Sequence, residues 1–181
     1  MKALGDVERV EFSNNGLLDS LTGTPAPKTF LDNLDREISK SKRKFQAISI
    51  ITLKLLPESS RDSISKYEKG LVAIGQSLKS DLRSGDFYSR FAENGFWLCL
   101  QGDLVEAKKA ADRFLVSISK IKSFETKPKG LLPDGQVLPL PKGPQIAISI
   151  KEWDGKSNSA EWIQEIDLCF FTDSRLQIST R

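Results

Sequence analysis

From residue 29 the apolar residues Phe30, Leu31, Leu34 and Ile38 recur at helical spacing with charges between them. The basic stretch at 40–44 closes that helix, where cations suit the dipole. Residues 47–55 are β-rich, of strand length and largely apolar on both faces, and Pro57 ends the run. A second helix is predicted over 63–82, with Ile64, Tyr67, Leu71, Ile74 and Leu78 on one face and Gly85 as its C-cap residue. Residues 87–91 and 96–100 read as two strands, because an Asn-Gly pair (Asn94, Gly95) between apolar runs signals a hairpin. A third helix is predicted over 104–121, with Ala107, Ala111, Phe114, Leu115 and Ile118 as its stripe. Residues 122–145 hold five prolines and three glycines, and predict an exposed excursion with a small hairpin at Pro133, Asp134 and Gly135. A short strand at 146–150 and an amphipathic helix at 160–171 follow, although 169–171 also fits a strand. The order helix, strand, helix, hairpin, helix, strand, helix predicts an α/β (α+β) fold, a central mixed sheet with helices on both faces. Residues 1–15 read as a polar lead-in, and 16–181 as one domain.

Composition narrows the chemistry. A chain of 181 residues, 39% hydrophobic and 28% charged, has the make-up of an ordinary globular domain. Its net charge of +3, with acids and bases interspersed, gives no case for a nucleic-acid groove or a membrane surface. No apolar run approaches the ~20 residues of a membrane span, and no apolar core behind Lys2 suggests a signal peptide. Cys99 and Cys169 lie in apolar runs and read as buried thiols, so the cytoplasm is the expected compartment. Histidine is absent, which removes the usual zinc ligands and the base of a Ser-His or Cys-His pair. Carboxylates with magnesium, or binding without chemistry, remain.

Asp19, Leu21, Thr22 and Gly23, followed by Phe30, are similar to the opening D-x-L-T-G motif of the GGDEF family of diguanylate cyclases, and the resemblance covers nearly everything from Gly16 onward. Residues 78–86, running on to Arg90 and Phe91, resemble the segment that leads into the signature, and Phe96 its last residue. Residues 146–150 match a later strand, and Ile166 with Asp167 the A-D of the last helix. The resemblance implies a nucleotide-cyclase palm-like fold with a peripheral β-hairpin.

It also implies that catalysis is lost. Active members hold two metal ions on an Asp of the first strand and on the third signature residue, because a triphosphate needs cations and cations need anionic oxygens. Here no Asp or Glu occurs between Ile38 and Pro57, and Ile51 or Thr52 stands at the strand position. The signature reads Ala92, Glu93, Asn94, Gly95, Phe96, so Asn94 replaces the metal carboxylate and Gly95 the acid after it. Ala92 and Glu93 replace the two glycines whose backbone lets a nucleotide approach. Ser59 and Glu68 align with the guanine-reading Asn and Asp, Ser174 with a phosphate-binding lysine, and Ala26 and Pro27 with an Asn-Arg pair. The expectation is therefore a non-enzymatic signalling domain with neither cofactor nor metal. Magnesium enters only on the alternative, a divergent cyclase making cyclic di-GMP from GTP.

Arg83 and Asp86 stand as an R-x-x-D motif five residues before the signature, where family members bind cyclic di-GMP as an allosteric inhibitor, and Arg113 matches a further family arginine. Guanidinium forks suit phosphates and guanine edges, and a carboxylate accepts from guanine N–H groups. The plain alternative is a local ion pair between Arg83 and Asp86 at a helix end. Glu93 reads as a solvated turn residue, and Trp97, Trp153 and Trp162 as core or interface residues. The expected partners are cyclic di-GMP, or a protein or fused sensor or output domain, with neither nucleic acid nor membrane.

Overall fold

The computed structural model describes residues 14–56, 64–121 and 145–172. Among these residues, four helices and four strands follow the predicted order: α1 Pro27–Lys44, β1 Ile48–Leu56, α2 Ile64–Asp81, β2 Phe87–Ala92, β3 Gly95–Gln101, α3 Leu104–Ser119, β4 Gln145–Glu152 and α4 Ser159–Thr172. Local chemistry sets their ends. Pro27 opens α1 and Lys42, Arg43 and Lys44 fill its last turn. Asp103 caps α3 in a reciprocal capping box with Glu106. At α4, Glu161 N–H donates to Asn158 Oδ1 and Asn158 N–H to Glu161 Oε2, both at 3.0 Å.

The sheet order is β2-β3-β1-β4. Among the described residues all three pairings are antiparallel, where a mixed sheet was expected. The reason is topological. Helix α2 joins β1 to β2 and α3 joins β3 to β4, and each crossover passes over one intervening strand. Strands running the same way are therefore never neighbours.

The strand period of two divides the core into two layers. Ile51, Leu53, Leu55, Phe96, Leu98 and Leu100 meet α2 and α3 through Leu71, Ile74, Leu78, Ala107, Phe114 and Ile118. Ile48, Ile50, Trp97 and Cys99 meet α1 and α4 through Phe30, Leu34, Ile38, Trp162 and Ile166. Helices on both faces explain why β1 is apolar on both. The excursion expected at Pro133 lies outside the described residues, as do Ser59 and Ser174.

Candidate functional site

The β2–β3 hairpin turns at Glu93 and Asn94, one residue earlier than an Asn-Gly turn would. Arg90 pairs with Phe96 and Ala92 with Gly95, which leaves Phe91 as a bulge. The bulge aims the Phe91 ring back across the hairpin, where it stacks on Trp97 with centroids 4.1 Å apart and planes 4° from parallel. Gly95 lies against the same ring: a Cβ there would stand 2.7 Å from Phe91 Cε1 and Cζ. Gly95 is thus closely packed against that ring and does not hold a left-handed turn.

Asn94 joins the turn to the end of β1. Its Nδ2–H donates to Leu55 O at 3.0 Å, and Leu55 N–H donates to Asn94 O at 2.8 Å. Tyr67, on α2, donates its hydroxyl to the same Leu55 carbonyl at 3.3 Å. Burial pushes the Tyr67 hydroxyl above its ordinary value; nearby Arg90 acts the other way and Glu93 adds to the rise. Glu93 itself is exposed. At the strand position, Ile51 is packed in the core under α2 and α3. Thr52 is also buried, and its hydroxyl finds no partner among the described residues. Among the described residues no group of three or more Asp, Glu or Cys side chains is placed to hold a metal ion.

Below the turn, Arg90 is wholly buried and gives NH1 to Asp19 Oδ1 at 2.9 Å and Oδ2 at 3.1 Å, and NH2 to Glu93 O at 2.7 Å. Asp19 is held in turn by Thr22, whose N–H and hydroxyl donate to Oδ2 at 2.7 and 2.5 Å. Thr24 Oγ1 accepts from Arg90 N–H at 3.2 Å, and Ser89 Oγ donates to Pro25 O at 2.7 Å. The D-x-L-T-G motif is thus a clamp on β2 close to the tip of the hairpin. Sequence reasoning named Asp19 and Arg90 separately but missed their pairing, which spans 71 positions and has no local signal.

The R-x-x-D turn sits at the opposite end of the sheet. Gly85 does not cap α2, which ends at Asp81; its positive φ of 110° serves the turn between Ser84 and Asp86. Asp86 makes no ion pair with Arg83. Its Oδ2 accepts from Arg83 N–H and its Oδ1 from Gln101 N–H, each at 3.2 Å. Gln101 in turn donates its side-chain N–H to Glu37 on α1 at 2.9 Å. Arg83 is exposed at the end of α2, and Arg113 is exposed on α3, the helix packed beside it. The fold brings Arg83 and Asp86 into one turn and puts Arg113 on the neighbouring helix. No hydrogen bond among the described residues joins Arg113 to either. Cys99 is buried, and burial, helped by Glu37 and Asp86, pushes its thiol well up.

No family model matches the sequence, and no curated protein matches it. Solved structures do. A microbial GGDEF domain studied in its interaction with cyclic di-GMP superposes with a TM-score of 0.67 at 12% identity, covering 86% of this chain and 91% of that one. The GGDEF domain of DgcB from Caulobacter crescentus, in complex with c-di-GMP, gives 0.64 at 11% identity over 91% and 94%. The diguanylate cyclase SiaD from Pseudomonas aeruginosa, in complex with its activator SiaC, gives 0.63 at 20% identity over 85% of this chain and 56% of that one. The chain has a GGDEF-like fold, as the sequence motifs implied.

Proposed function

We propose that this GGDEF-fold domain is catalytically silent and acts in signalling by binding, with cyclic di-GMP as its ligand at Arg83, Asp86 and Arg113. The observation that carries the loss of catalysis is the hairpin turn. At the position of the family's metal carboxylate, Asn94 presents an amide N–H to the Leu55 carbonyl. At the next position the direction of any side chain is filled by Phe91. With Ile51 and Thr52 buried at the strand position, the residues present do not fit a pair of divalent cations, and a triphosphate would meet no neutralising clamp.

The binding half rests on the other end of the sheet. Arg83, in the turn that follows α2, and Arg113, on the adjacent helix α3, are exposed guanidinium groups suited to phosphate. Asp86 gives one lone pair of each oxygen to a backbone N–H, which orients the carboxylate and leaves further lone pairs for guanine N–H groups. Two of the structurally similar GGDEF domains were solved or studied with cyclic di-GMP. Two measurements test the proposal. GTP and magnesium with pure protein should give no cyclic di-GMP; turnover at ~1 s⁻¹ would show an active cyclase. Calorimetry with cyclic di-GMP should give a binding heat that Arg83→Ala weakens about tenfold or more, the cost of a charge-assisted hydrogen bond. No heat at ~100 μM ligand would leave protein interaction as the function, a mode for which SiaD bound to SiaC is the parallel.

A further inference from the structure

We propose that the C-terminal tip of α1, formed by Lys42, Arg43, Lys44 and Phe45, is a docking surface for an anionic phospholipid membrane. Phe45 is 96% exposed. It also holds the left-handed conformation, φ 52° and ψ 39°, at the helix C-cap, where glycine is the usual residue. A bulky side chain is disfavoured there, and this one covers no protein surface in return. The helix dipole accounts for cations in the last turn, but not for an aromatic ring at the tip.

The cations are available. Arg43 and Lys44 are exposed and make no hydrogen bond or ion pair among the described residues, while Lys42 lies 5.4 Å over the Trp153 ring. Consecutive helical residues point about 100° apart, so the three fan around the helix end instead of lining one face. A flat anionic surface met end-on would engage Arg43 and Lys44 together with the exposed Phe45 ring, while Lys42 stands over Trp153. Cations flanking an apolar ring suit the headgroup boundary, where the charges meet phosphates and the ring meets acyl chains. The net charge of +3, averaged over the chain, conceals this local cluster.

Sedimentation with vesicles decides the matter. The full chain should pellet with phosphatidylcholine vesicles containing about 30% phosphatidylglycerol and stay in solution with phosphatidylcholine alone. About 0.5 M salt should release it, since screening shortens the reach of the charges. Arg43→Ala with Lys44→Ala should weaken binding about 25-fold, roughly fivefold for each cation near the surface. Phe45→Gly separates docking from folding, because glycine relieves the left-handed strain. That variant should melt at a higher temperature and yet bind vesicles less. Wild-type protein that ignores anionic vesicles overturns the proposal and assigns the tip to an acidic protein partner instead. Undiminished vesicle binding by Phe45→Gly overturns it equally.

Discussion

Consider Gly95→Glu, which restores an acid to the hairpin at the position where active GGDEF domains carry one. The new Cβ would lie 2.7 Å from two carbons of the Phe91 ring, well inside the ~3.5 Å of a favourable carbon contact. The half-buried ring is stacked on Trp97 at 4.1 Å with Lys54 Nζ 5.7 Å from its centroid, so making room for the Cβ means giving up part of that stack. Overpacking of this kind costs about 1–3 kcal/mol, and disturbing the aromatic stack about 0.5–1.5 kcal/mol more. The two effects share one ring, so they do not simply add; a loss of about 2–4 kcal/mol is expected. Urea denaturation should show it as a midpoint lowered by ~1 M or more. Combining Gly95→Glu with Phe91→Ala should cost less than the sum of the single changes, because the second empties the space the first requires. None of these variants should convert GTP. A Gly95→Glu protein with an unshifted midpoint would refute the packing argument.

Two further outcomes follow from single side chains. The Thr52 hydroxyl is buried without a partner among the described residues, so Thr52→Val should raise the denaturation midpoint, by about 1 kcal/mol in stability; a lower midpoint would mean that the hydroxyl is satisfied. Asp154 accepts from Lys156 N–H, Ser157 N–H and the Ser157 hydroxyl, which lower its carboxyl from 3.8 to about 2. A lowered folded value means that the stabilisation is fully present above the unfolded value and is lost as pH falls through the folded one. The melting-temperature gap between wild type and Asp154→Ala should therefore be constant above pH 5 and narrow between pH 4 and pH 2; a gap independent of pH would disprove the assignment.

The elements were legible because each lies in a clear periodic pattern, and β1 showed its central place by being apolar on both faces. Strand direction was not legible, since a helical crossover looks the same whether it joins neighbours or skips a strand. The Asn94-Gly95 pair located the hairpin, whose strands each run one residue further into the turn than the apolar runs marked, but the bulge at Phe91 depends on how its ring packs and had no sequence signal. The changed signature could be read from residue types, whereas the ring that fills the space beside Gly95 could not. Asp86 was read as a ligand group or half of an ion pair. Its two backbone hydrogen bonds, one to Gln101 on a different element, required the fold.

The clamp between Asp19 and Arg90 has a mechanical consequence. The two residues are 71 positions apart, and Asp19 lies ahead of α1 while Arg90 lies near the tip of the hairpin. Tension applied to the chain at Asn14 would therefore meet the bridges from Asn14 to Asp19 and from Leu18 to Pro25, and would divide between β2, through this pair, and the start of α1, through Ala26 N–H on Leu17 O. Loaded in this way, the N-terminal turn is a lever on the hairpin, with the guanidinium group as its pin.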